Sequence, residues 1–183
     1  MPTTKYKDSL FFKFKSAEYH KNCCQDALTR LHLQSHSEKD SIAAESEFIA
    51  MMLTLHSCLD VFAQYLNRYF LNDYLPESKV TFYKVIEKVK DEEIKPFLLS
   101  LKDDTQYLID FSNVIKHRNI VRISYYSAFL SPNFPTEFMD IDSFIKDERE
   151  YDFENVEFQL KFQYETVINQ IKCILLILEK RLE

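Results

Sequence analysis

FIAMMLTLHSCLDVFAQYLNRYFL, residues 48–71, decides the fold. Ile49, Met52, His56, Leu59, Ala63, Leu66 and Phe70, with Ile42 upstream, follow a three-four spacing that places them on one helical stripe. Phe48, Leu55, Phe62 and Tyr65 widen the stripe. A wide apolar stripe means contact with more than one neighbour, as in the middle of a bundle. This is also the most apolar stretch of the chain, yet it carries His56, Asp60, Gln64, Asn67 and Arg68. A charge at a bilayer centre costs on the order of 2.5–3.5 kcal/mol even on insertion scales. The spacing therefore predicts a buried helix over residues 41–71, and no membrane span.

Upstream, Leu10, Phe14, Ala17, Cys24, Leu28 and Leu31 predict a first helix over residues 5–35. The polar run SHSEKDS at 35–41 breaks it, with Asp40 or Ser41 as the cap of the next helix. Downstream, LNDYLPESK reads as a loop, and Ser78 is the expected N-cap of a short helix, VTFYKVIEKV. DEEIKPFLLSLKDD predicts a second short helix, with Pro96 in its first turn, where proline is tolerated. Asp103 or Asp104 then starts a helix over TQYLIDFSNVIKHRN. Tyr107, Phe111, Val114 and Arg118 line one of its faces, and Asp110, Asn113 and His117 the adjacent one.

After residue 119 the period changes to two. NIVRISYYSAF and EFMDIDSFI alternate, with the proline-bearing turn SPNFPTE between them, so a single β-hairpin is expected there. An isolated hairpin is marginal in water and must pack on the helices. Val156, Leu160, Val167, Ile171, Leu175 and Leu178 predict a last helix over residues 153–182. The fold class is mainly α: an up-and-down helical bundle of three long helices and several short ones, with a small β-hairpin inserted before the last helix.

The 183 residues suit one compact domain, 1–183. An apolar fraction of 46% and a charged fraction of 28% are those of a globular chain. There is no glycine, which excludes the Gly-rich loops that bind nucleotide phosphates. No cofactor is expected, nucleotide or otherwise. The cysteines, Cys23, Cys24, Cys58 and Cys173, include no CxxC pair and read as small buried hydrophobes in a reducing compartment. MPTTKYKDSL has no signal-peptide core, so a soluble cytoplasmic chain is expected.

The net charge is −6, and residues 137–157 hold nine acids against two bases, Lys146 and Arg149. The rest of the chain is close to neutral. An acidic chain disfavours broad nucleic-acid binding, because that affinity rests on neutralised phosphates. A local basic patch can still contact RNA, and the acidic segment suits a basic partner protein or the role of an internal nucleic-acid mimic.

Against that background stands FSNVIKHRNIV, residues 111–121, with Lys116, His117 and Arg118 side by side. Asn113 and His117 are helix neighbours, and Asp110 lies one turn before Asn113. Such a trio orients an imidazole for acid–base work near neutral pH. Lys116, Arg118 and Arg122 supply charge for a phosphate. Those are the parts of a metal-independent ribonuclease. The bland alternative is that Arg118 snorkels at a helix C-terminus and the basic run pairs with the acidic segment.

The N-x-x-K-H-R pattern at a helix end, in a bundle rich in Phe and Tyr, resembles the helical domains of the HEPN superfamily over most of the chain. The resemblance implies a bundle of four or five helices that dimerises. It also implies either a ribonuclease of toxin–antitoxin or phage-defence systems or an inactive binding module. The family's catalytic pattern is an Arg, then a polar residue, then a His after a gap of four to six residues. Arg118 and Asn119 carry over, but Ile123, Ser124 and Tyr125 stand where the His belongs, and His117 is a substitute by proximity. The expected function is therefore a non-catalytic binding or assembly module, with a divergent ribonuclease using His117 and Arg118 as the rival. The expected partners are a second copy of the chain and either RNA or another protein.

Two further chemistries have candidate residues. His32 and His36 share the i, i+4 spacing of a metal pair, as do His20 and Cys24, and His56 lies on the next helix. A metal-binding bundle enzyme would need His32, His36 and His56 to converge. No E-x-x-H motif accompanies them, and His56 reads better as a core histidine hydrogen-bonded across the bundle. Cys58 is two residues from His56, which points the two side chains to different helix faces, and Cys23, Cys24 and Cys173 sit on apolar stripes, so no Cys–His pair for nucleophilic catalysis is expected.

Overall fold

The computed structural model describes residues 3–33, 37–117, 121–131 and 134–181. The chain is mainly helical, with a small antiparallel strand region before the last helix. Its helices are α1 (Thr3–Leu33), α2 (Glu38–Leu71), α3 (Phe82–Lys88), α4 (Lys95–Asp104), α5 (Gln106–His117) and α6 (Val156–Lys180). Between α5 and α6 lie β1 (Ile123–Ser131), β2 (Phe134–Ile141), β3 (Phe144–Lys146), β4 (Arg149–Tyr151) and β5 (Glu154–Asn155).

Helix α2 is the centre of the core. Phe48, Met51, Met52, Leu55, Cys58, Leu59, Phe62, Tyr65 and Leu66 are all buried. The buried face is turned toward Phe48 and Leu55 relative to the expected stripe, so Ile49, His56 and Phe70 fall at its half-buried edge and Ile42 is exposed. By length and composition α2 is able to cross a membrane, but half of that apolar window is buried inside the structure.

Polar contacts fix the helix directions. His20 meets Glu47 at 2.7 Å and Arg30 meets Asp40 at 2.7 Å, so α1 and α2 run antiparallel. Lys7 meets Glu179 at 2.7 Å, while Lys21 lies over the Tyr164 ring and Lys172 over the Phe14 ring. Helix α6 therefore also runs antiparallel to α1, and α2 and α6 point the same way. The apolar positions expected for α6 are all buried.

The helix ends differ in detail from the sequence expectations. Ser37 caps α2 by accepting from the Asp40 amide, so Asp40 sits inside the first turn. Thr81, not Ser78, caps α3, because Glu77–Lys79 forms a separate 3₁₀ turn. Helix α4 continues through Asp104, and α5 begins after Thr105 rather than at an aspartate. Asn155 caps α6 by accepting from the Phe158 amide at 3.1 Å, which starts that helix at Val156 and not at 153.

The missing glycines have replacements. Asn72, Asp73 and Asp147 take the positive φ angles that turns require, at 48°, 59° and 54°. Their short polar side chains tolerate that region better than other residues do. The buried Asn67 then holds the returning loop, donating to the Leu75 carbonyl at 2.9 Å and accepting from its amide at 3.2 Å.

The strand region is larger than one hairpin. β1 pairs antiparallel with β2, from Ile123 opposite Ile141 outward, and β2 pairs with β5. β3 and β4 form a second, two-stranded unit through Phe144–Tyr151 and Lys146–Arg149. Much of the expected turn SPNFPTE belongs to β2, while Pro132 and Asn133 lie outside the described residues. Met139, Ile141 and Phe144 are buried, so the strands are packed on the helices as an isolated hairpin requires.

Candidate functional site

Helix α5 presents Phe111 and Val114 inward; Phe111 packs edge-on against Phe48 of α2. That packing dictates what its other faces offer. Asp110 is buried at 2% exposure and belongs to the fold's main polar cluster. Arg149 of β4 donates to it from Nε at 2.7 Å and from Nη2 at 3.2 Å, and the Tyr151 hydroxyl donates at 2.6 Å. Burial, and then the hydrogen bond to Asp110, push the Tyr151 phenol up to about 12. The hydrogen bond to Asp110 raises Arg149 further above its ordinary range. Tyr151 also stacks on Phe144 at 4.6 Å and meets the edge of Tyr107 at 5.3 Å.

The expectation that Asp110 and Asn113 orient His117 does not match this arrangement. Both Asp110 oxygens are occupied by Arg149 and Tyr151. Asn113 is half-buried and lines a polar cleft of about 360 Å³ with Asp110, Lys102, Lys146 and Arg149. His117 is exposed at the end of α5 and has no hydrogen-bond partner among the described residues.

Lys116 is exposed, and its Nζ lies 3.2 Å from Nδ1 of His56 on α2. His56 Nδ1 is also 3.5 Å from Asp60 Oδ2. Burial pushes the Asp60 carboxyl up, but the His56 hydrogen bond and the charges of His56, Lys116 and Lys13 outweigh it and hold the value below the usual aspartate range. His56 is thus a bundle histidine joined across to α5. Arg118 and Asn119 lie outside the described residues. Arg122 is exposed on the rim of a larger cleft of about 830 Å³, whose walls include Val114, Val121, Phe144 and Tyr151. Asp142, Glu150 and Asp152 make that cleft mostly acidic.

No family model, curated protein or solved structure matches this chain.

The metal alternative finds no geometry among the described residues. His20 is paired with Glu47, His32 is exposed, His56 is engaged by Lys116 and Asp60, and His36 lies outside the described residues. No three His, Cys, Asp or Glu side chains come together there as metal ligands. Of the cysteines, Cys24 and Cys58 are buried, Cys23 is half-buried and Cys173 is exposed, so Cys173 is not the core residue its stripe suggested. Burial pushes the Cys24 and Cys58 thiols up to about 12, which makes them poor nucleophiles.

Sequence reasoning passed over Arg149 and Tyr151 as members of the site. The available signal was a lone arginine inside an acidic run, downstream of an aspartate on the inner side of an amphipathic helix. The acidic segment does contact α5, and one such contact has its arginine paired with the helix's aspartate.

Proposed function

We propose that the chain is a non-catalytic binding or assembly module, a HEPN-like bundle of the kind found in defence or toxin–antitoxin settings. The observation that carries this reading is the occupation of Asp110 by Arg149 and Tyr151. A general acid–base histidine needs a partner that sets its tautomer and orientation. The nearest carboxylate on the same helix is used in holding the strands, and Lys116 is joined to His56. What is left of the basic run among the described residues is one exposed, unpartnered imidazole. That exposure is also what the rival reading, a divergent ribonuclease, requires of His117.

An RNA-cleavage assay at low ionic strength with EDTA separates the two. The module reading expects no cleavage by wild type or by His117→Ala, with both proteins equally stable. Cleavage by wild type that disappears in His117→Ala establishes a metal-independent nuclease instead.

A further inference from the structure

The outer face of α6 carries aromatic side chains that the fold does not use. Phe158 and Phe162 are 57% and 40% exposed, and Phe153, just before β5, is 62% exposed. Phe158 and Phe162 are four residues apart, so they stand one above the other on the helix. Their rings stack at 5.6 Å with planes 8° apart, forming a ridge in solvent. Contiguous exposed aromatics of this kind mark interaction surfaces.

The charges around the ridge select the occupant. Asp152, Glu157 and Glu165 are exposed and make no ion pair with another described residue. Glu154 adjoins Phe153, and Lys161 is the single base between the two ridge residues. A nucleic acid or an anionic lipid surface is repelled by this rim. A second copy docked about a two-fold axis sets the same acids against themselves. A cationic partner with its own apolar stripe satisfies both features. An i, i+4 ridge fits the groove between side-chain rows of another helix.

We infer that the Phe158–Phe162 ridge at the start of α6 is the docking site for a basic amphipathic helix of another protein. The inference rests on the binding-module reading and names the chemistry of its partner. The aromatic rings supply the buried anchors, and Asp152, Glu157 and Glu165 set orientation and encounter rate.

The test is a titration of the whole chain with a synthetic helical peptide that has leucines at i, i+3, i+4 and i+7 and lysines elsewhere. A peptide of the same composition, scrambled to destroy the stripe, is the control. The amphipathic peptide binds, the scrambled one does not, and affinity falls as salt rises. Phe158→Gln with Phe162→Gln weakens binding about tenfold or more, as does Glu157→Lys with Glu165→Lys. All four positions are exposed, so circular dichroism stays that of the wild type; Glu157 lies in the first turn of α6, so its charge reversal lowers melting slightly, and Glu165→Lys alone, which weakens binding without that loss, is the control. Equal binding of the two peptides, or variants that bind like wild type, overturns the proposal. So does a wild-type dimer, seen by sedimentation, that the phenylalanine variant disperses, because a second copy then occupies the surface. RNA cleavage dependent on His117 removes the module reading itself, whereas flat peptide titrations without cleavage remove only this surface.

Discussion

Arg149 reaches from β4 to α5 and grips Asp110 with two hydrogen bonds, Nε to Oδ2 at 2.7 Å and Nη2 to Oδ1 at 3.2 Å. The two side chains differ in setting: that of Asp110 is 3% exposed and that of Arg149 is 51% exposed. The aspartate has lost most of its water and depends on its partners, while the arginine keeps much of its own. Removing the arginine therefore costs more than an exposed ion pair and less than a fully buried one. Arg149→Ala is expected to destabilise by about 1–3 kcal/mol in urea unfolding. Asp110→Leu combined with Arg149→Met removes both charges and recovers most of that loss. A single variant with wild-type stability would contradict the role given to this pair.

Acid is expected to unfold the chain through its aspartates. The Arg181 hydrogen bond, with the Ile94 amide, lowers Asp91; the Arg30 hydrogen bond, with Ser37, lowers Asp40. Asp60 is lowered by His56 against its own burial. A carboxylate whose folded pKa is depressed contributes stability above its unfolded value of about 3.9 and loses it as pH falls through the folded value. Burial raises Glu45, so its penalty is relieved as it protonates, a smaller effect of opposite sign. The melting temperature should fall steeply below about pH 4, and Asp91→Asn should flatten that fall. A melting curve unchanged down to about pH 2 counts against the assignment.

Thiol chemistry should rank the four cysteines. Cys173 is exposed and reacts first with an aromatic disulfide reagent, and the half-buried Cys23 follows more slowly. Cys24 and Cys58 react only as fast as the chain unfolds, because both are buried and their thiols are pushed up to about 12. Mass spectrometry of the labelled peptides reads the order. Early labelling of Cys58 would mean that α2 is not the core helix.

His117→Ala should leave stability within about 0.5 kcal/mol of wild type, since the imidazole is exposed and unpartnered among the described residues. Asn155→Ala, which removes the side chain that caps α6, should cost about 1 kcal/mol. The contrast is measured by paired denaturant melts. If His117→Ala is the more damaging of the two, the basic run helps hold the bundle together.

The long helices were legible because their cue is local and repeated. Apolar residues recur along one stripe of α1 and of α6, and all the positions picked out for those stripes are buried. In α2 the apolar residues cover a wide arc, so periodicity identified the helix and most of its inner face, while Ile42, Ile49, His56 and Phe70 fall outside the buried part. The small strands β4 and β5 left no period to read, since they span three and two residues, and β3 was merged into the alternation of EFMDIDSFI. The caps were ambiguous because several Ser, Thr, Asp and Asn residues stand near each helix start, and only the backbone course selects one.

At the candidate site the sequence singled out residues of α5 but not the partners they meet from elsewhere in the chain. Asp110, Asn113 and His117 do follow one another along α5, as helical spacing requires. Spacing along one helix says nothing about a competitor arriving from elsewhere. Arg149 is 39 residues away and Tyr151 is 41, yet both reach Asp110 before any residue of its own helix does. Lys116 likewise finds His56 across 60 residues.

By itself, then, the sequence determined a helical chain with an antiparallel strand region before its last helix, since apolar periodicity and the lack of glycine act within a few residues. It also determined that the charge is concentrated in residues 137–157, which is a matter of composition. Tertiary structure alone decided which charges meet, which phenylalanines stay in water and which histidines are left unpartnered among the described residues. A buried carboxylate takes the donors that packing brings within hydrogen-bond reach, and that distance is a property of the assembled helices and strands.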